Sequence, residues 1–371
     1  MLFHKKHNDI ERKLPQTQWK LIYKKFCKNR LAVLGVIVIA SLYFLAFFSD
    51  FIAPYHPRTI DSGHINLPPQ LPRFIDGQGK FHLRPFVYGV ERKFNPETFE
   101  YSFMKVEEEK YPIHFFVKTE EYKFLNIIPM SRRLFGVESP GQIHLFGTDR
   151  NGRDLFSRTL SAARISLTVG LVGVVITLVL GSFIGILSGY LGGVFDYLIQ
   201  RLIELFLSFP DIPLWLALST MLPRDWSPLI IFFCITLILS IINWGGLARK
   251  LRGKVLGIKE QEYVLAAQTF GAGTFHIVRR HLLPNTASQI IVEATLALPR
   301  MIIGETALSF LGLGIRPPMT SWGVLLQEAQ FVRVLLQTPW IIIPAFFVIV
   351  AVLGFNFIGD GLRDAADPYS N

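Results

Sequence analysis

Cysteine is nearly missing from this chain: Cys27 and Cys234 are the only two in 371 residues, too few for a disulfide framework. No histidines and cysteines stand at metal-ligand spacing, and no Gly-x-x-x-x-Gly-Lys-Ser/Thr loop is present to cradle phosphates. No Ser, His and Asp set with supporting context marks a nucleophile. The sequence therefore points to no catalytic residue, no metal site and no device of its own for binding ATP. Charge is scarce as well, at 18% of residues, while half of the chain is hydrophobic and the mean hydropathy is +0.37. That balance belongs to a polytopic membrane protein rather than a soluble globular domain.

What is present starts with a basic tail. Residues 1–30 carry nine Lys/Arg against Asp9 and Glu11, which places the N-terminus in the cytoplasm. Leu31 to Ser49 holds no charge and is long enough to span. No small-residue cleavage site follows, so residues 31–56 read as a retained first transmembrane helix. Residues 57–143 change character. Proline and Asp76-Gly77 punctuate their start, and aromatic-rich runs follow, with twelve Lys/Arg against eleven Asp/Glu. Near-neutral charge gives no case for nucleic acid. The runs predict short strands, hence a small β-rich extracytoplasmic insert that buries most of Phe81, Phe86, Tyr88, Phe99, Tyr101 and Phe103 and offers a limited docking edge.

From residue 144 to 371 the chain returns to the membrane. Thr148 or Asp149 is placed to cap an interfacial helix with Phe156, Leu160 and Ala163 on one face. A second span lies in the uncharged, Gly-rich run Ile165–Phe195. The third passes Asp196 and Glu204 and is interrupted at Pro210-Asp211-Ile212-Pro213. The fourth lies between Ser227 and Ala248, the fifth from about Thr286 to Gly314, and the sixth between Val334 and Gly359, with Trp322 suited to the outer interface. Between the fourth and fifth, residues 249–284 hold seven Lys/Arg and two Glu. Four crossings from a cytoplasmic N-terminus return the chain to the cytoplasm, and the positive charge agrees.

That basic segment contains the most informative stretch. Glu262, Ala266 and Phe270 share one helical face. Ala266 and Ala267 are small enough for another backbone to approach. Gly271 suits a helix-ending left-handed residue, and Pro284 marks a stop before the next apolar run. The periodicity predicts a helix, a turn and a second helix outside the bilayer.

Ala266, Ala267, Gly271, Leu283 and Pro284 match, at the same spacing, the Glu-Ala-Ala, Gly and Leu-Pro signature of the coupling loop in ABC importer permeases. Leu265 replaces the usual Glu and His281 the usual Ile. Glu262-Tyr263-Val264 and Arg280-His281-Leu282-Leu283-Pro284-Asn285 resemble the dipeptide and oligopeptide branch, where those departures are common. Phe146-Gly147-Thr148-Asp149, Gly152-Arg153-Asp154, Ala163-Arg164-Ile165-Ser166-Leu167, the run from Glu305 to Gly314, Pro317-Pro318 and the terminal Gly-Asp-Gly-Leu-Arg-Asp stretch look like the same family. The long insert is closer to its microcin-type members.

The resemblance implies an all-α, six-helix type I importer permease. It implies a second homologous permease subunit, two ATPase subunits that hold ATP and Mg, and a solute-binding protein outside the bacterial inner membrane. Its coupling loop would use Glu262, Tyr263, Ala266, Ala267, Gly271, Arg280, His281 and Pro284. Asp211, Glu293, Arg300 and Glu305 are the charged candidates for the translocation path. Asp211 is placed either to meet a peptide's α-amino group or to cap the helix after Pro210. Glu293 and Arg300, two turns apart, are each expected to pair with another helix, and Pro299 to kink the span between them. The rival reading is an ion-coupled secondary transporter with Glu293, Asp211 and Glu305 as carriers, since intramembrane carboxylates are functional by default.

Overall fold

The computed structural model describes residues 18–96, 100–223 and 225–366. Most of the basic tail, Phe99 and the terminal Asp367-Pro368 of the motif lie outside them. The chain opens with α1 (Gln18–Lys28) and α2 (Arg30–Phe47), joined by Asn29, whose Oδ1 accepts from the Leu31 and Ala32 amides as an N-cap. A single turn, α3 (Ser49–Ile52), leads into the insert.

The insert is built of five antiparallel strands: β1 (Arg73–Ile75), β2 (Phe81–Asn95), β3 (Glu100–Pro112), β4 (His114–Phe124) and β5 (Ile128–Gly136). The first three form one sheet and the last two another. Two thin sheets cannot enclose rings on both faces, so the expected burial holds only in part among the described rings, the Tyr101 side chain lying outside them with Phe99. Phe86 and Tyr88 are buried, Phe103 is half-buried, and Phe81 is exposed. The base of the insert is bolted to the first span. Arg133 donates to the Ala53 carbonyl at 2.6 Å, the Leu125 amide to Asp50 at 3.0 Å, and Arg164 meets the same Asp50 at 3.0 Å.

The bundle follows: α4 (Leu155–Leu191), α5 (Gly193–Leu207), α6 (Asp211–Thr220), α7 (Pro228–Ile258), α8 (Glu262–Thr269), α9 (Thr274–Ile277), α10 (Leu283–Phe310), α11 (Trp322–Leu326), α12 (Val332–Gln337) and α13 (Ile343–Ala366). Among the described residues four stretches are long and apolar enough to cross a membrane: α2, α4, α7 and Pro339–Ala366. The α5–α6 pair makes a fifth if counted as one span broken by 89° at Pro210. The helix expected as the fifth crossing, α10, forms over 28 residues but carries Glu293, Arg300 and Glu305 and is not among them.

α4 packs along α7 most closely, and α10 lies against both and against α13. A side chain at Gly185 of α4 would stand 2.5 Å from the Ala248 carbonyl of α7, so only glycine allows this crossing. One core joins Ile39, Leu167, Ile302, Trp322 and Phe355 from five different helices.

Four expectations need correction. The cap of α4 is Asp154, which accepts from the Ser157 amide at 2.7 Å, not Thr148 or Asp149. Those two are pulled into tertiary contacts. Trp322 is not an interfacial anchor. It is fully buried and donates to the Thr159 carbonyl at 3.1 Å, because Ser321 caps a short helix that turns back into the bundle. The last long stretch begins at Pro339 rather than Val334, which belongs to the separate α12. Pro284 starts α10 instead of stopping a helix. It lacks an N–H, and the chain accommodates this with a π-helical turn over Val278–Leu282 just before it.

Candidate functional site: a polar island between α7 and α10

α7 outruns the expected span by a further ten residues, to Ile258, and delivers the island away from the bundle. α8 is anchored there by Val264, fully buried against Val255, Ile186, Ile277 and Leu282. Every other residue of α8 is exposed or half-buried. The helix closes with a left-handed Gly271, φ +79°. The Ala272 amide donates to the Ala267 carbonyl and the Gly271 amide to Gln268, each at 2.9 Å, the paired bonds of a Schellman end. A residue with a Cβ would strain this turn.

Next to α8, Tyr263 meets the amide of Asn285 at 3.2 Å and lies 5.8 Å from the His281 ring, while Asn285 also donates to the His281 carbonyl at 2.7 Å. Arg280 and Pro284 line an open hollow of about 550 Å³ with Phe275, His276 and Arg279. Glu262, Ala266 and Ala267 lie in α8, and Gly271 just after its end. Two exposed rings flank Gly271, Phe270 at 91% and Phe275 at 76%. Phe275 was outside the expected set, although an aromatic in a charged loop is a legible signal.

The four charged candidates for the path are not brought together. Asp211 is exposed in the first turn of α6, directly after Pro210, where a carboxylate favours the helix start. Glu293 is answered by Lys250 of α7 at 2.8 Å. Glu305 is wholly buried and accepts from Ser309 at 2.7 Å and Ser166 at 3.2 Å. Arg300 is exposed, and among the described residues no acceptor and no partner helix meets it.

A second polar centre lies at the opposite end of α4, built on Asp149 and Asp154, which the sequence offered as caps and ion-pair partners, and on His144 and Glu328, which it did not. Asp149 pairs with Arg153 at 2.7 Å and with Arg158, and Glu328 lies 3.4 Å from Arg150 and 3.8 Å from Arg153. Burial, and then the charge of Asp149, push the Glu328 carboxyl above its ordinary range. Beside it His144 meets Asp154 at 2.9 Å, with both side chains buried.

Comparison with known proteins separates the possible uses of the island. Residues 181–369 match the family described as the inner membrane component of binding-protein-dependent transport systems. Residues 17–69 match the N-terminal transmembrane domain of oligopeptide transport permease C. The chain belongs to this permease family. It is 43% identical over 231 residues to the dipeptide transport system permease protein DppC of Bacillus subtilis, covering 62% of this chain and 70% of that one. It is 42% identical over 226 residues to the oligopeptide transport system permease protein OppC of Haemophilus influenzae, covering 61% and 70%. The carboxylates needed by the ion-coupled rival do not share a cavity: Asp211 is at a kink, Glu293 is neutralised by Lys250, and Glu305 is sealed among hydroxyls.

Proposed function

We propose that this chain forms half of the translocation path of an ATP-driven importer of peptides or peptide-like solutes. It pairs with a second, homologous permease subunit. Two separate ATPase subunits hold ATP and Mg, and a solute-binding protein delivers cargo from outside. The observation that carries this reading is the island. Val264 is the one fully buried residue of α8, and the rest of the helix is exposed or half-buried, in a chain with no phosphate-binding loop of its own.

In this arrangement six crossings run through α2, α4, the broken α5–α6 pair, α7, α10 and Pro339–Ala366. Both termini and residues 249–284 are cytoplasmic, and residues 57–143 are extracytoplasmic. Closure of the ATPase pair moves α8, and the Val264 core passes that motion to α4, α7, α9 and the π-helical turn that leads into α10. The similarity to peptide permeases supports peptide cargo.

The test is Ala267→Asp and Gly271→Arg, which place a charge or a long side chain on the open face. Each variant should insert normally, yet lose co-purification of the ATPase subunits or lose transport-coupled hydrolysis. Normal subunit yield together with normal uptake in either variant overturns the reading.

A further inference from the structure

Arg300 is a charge of α10 that no acceptor among the described residues answers. It stands inside the 28-residue helix α10, ten residues and therefore about 15 Å along the axis from the Phe310 end. Its side chain is exposed and no carboxylate or carbonyl among the described residues accepts from it. An arginine at membrane depth that faced lipid would be strongly unfavourable, so the position implies water or a polar partner.

The neighbouring helix shows what kind of surface this is. Glu293 and Lys250 meet at 2.8 Å, and a Cβ at Gly304 would stand 3.0 Å from Leu239. These two contacts run α10 and α7 antiparallel in one register, which brings Asn243 level with Arg300. Asn243 donates one amide hydrogen to the Leu239 carbonyl at 2.7 Å and carries a second N–H. One turn nearer the island, a Cβ at Gly246 would meet nothing within 4 Å. Arg300 lies within about 20° of Glu293 around the helix, two turns on. The same face therefore carries, in sequence, the neutral Glu293–Lys250 pair, the open notch at Gly246, and then a donor-rich level at Arg300 and Asn243.

A planar guanidinium with no internal acceptor is suited to bidentate capture of a carboxylate. The negative group common to every unmodified peptide, whatever its side chains, is the C-terminal carboxylate. We propose that Arg300 receives the C-terminal carboxylate of the peptide in transit and is the fixed positive charge of this half of the path. The inference rests on the peptide-import reading above and deepens it.

The experiment uses the whole complex reconstituted in vesicles, with a radiolabelled peptide offered as the free acid and as its C-terminal amide. The wild type should prefer the free acid. Arg300→Gln should raise KM for the free acid about tenfold, a loss of one charge-assisted contact, so that the preference for acid over amide collapses. Arg300→Lys should restore part of that preference. An equal loss for acid and amide, or an unchanged ratio, overturns the inference. Dissociation of the two permease subunits in Arg300→Gln also overturns it, because the arginine then answers a carboxylate of the second subunit. A wild-type complex that takes up neither peptide while hydrolysing ATP overturns the peptide reading itself.

Discussion

The two ends of α4 and α7 carry similar numbers of charged residues and treat them in opposite ways. At the α4 N-terminus, Asp149, Asp154, His144 and Arg158 are all buried and are consumed by one another. At the island, Glu262, Arg279 and Arg280 stay in solvent beside rings of Phe270 and Phe275 that nothing among the described residues covers. A charge is buried only where its partner is already in the same polypeptide, because an uncompensated one costs several kcal/mol. The first end is therefore completed within the chain, and the second stays open among the described residues.

The largest effect should come from breaking the completed end. Asp149→Ala strands Arg158 inside the fold, and about 3–5 kcal/mol of stability should be lost. Thermal unfolding of the detergent-solubilised permease measures it. Arg279→Ala with Arg280→Ala, at the open end, should shift stability by no more than about 0.5 kcal/mol. Equal losses at both ends would erase the distinction.

A sharper cut separates α8 from the bundle. Val264→Ala removes methyl groups from a fully buried position, for an expected local cost of about 1–3 kcal/mol by analogy with other large-to-small core changes. The rest of the bundle has its own cores, so hydrogen exchange should rise in residues 262–282 while the global unfolding temperature stays close to wild type. A uniform rise across α4, α7 and α10 would show that the island is part of the main core instead.

These regions differed in how much the sequence disclosed. The island was legible because its signal is local: small residues, a left-handed glycine and a Leu-Pro at fixed spacing. Span positions were legible from long uncharged runs. α10 was placed although three charges dilute its apolar character. The Asp149–Arg158–Glu328 centre was not legible, since Glu328 comes from a turn 179 residues after Asp149 and no periodicity links them. Trp322 was misplaced for a related reason. A tryptophan near a predicted helix end suits an interface on average, but here Thr159 and Ser166 from another helix supply its partners. Phe86 and Tyr88 are buried as expected, but Phe81 was misjudged because strand patterns do not reveal how many layers will stack on them.

The insert supplies the smallest effect, and it tests whether the closed-end logic holds away from the bundle. Asp76, at the turn between β1 and β2, accepts from His82 at 2.9 Å and Lys110 at 2.8 Å, and from the Lys80 and Gln78 amides. Those donors, His82 foremost, hold its carboxyl well below the ordinary range. A carboxyl with a lowered folded value contributes stability above its unfolded value, and that contribution fades as pH falls below it. Hairpin stability should therefore be level from neutral pH down to about 4, near the unfolded carboxyl value, and decline under more acid conditions. Asp76→Asn should lower stability at neutral pH and flatten the acid decline. The readout is proteolytic cleavage within residues 73–112 against pH, with the bundle intact. If the variant and wild type lose protection in parallel as pH falls, the Asp76 contacts are not what ties β1 to the hairpin, and the unfinished surface extends to this end of the molecule as well.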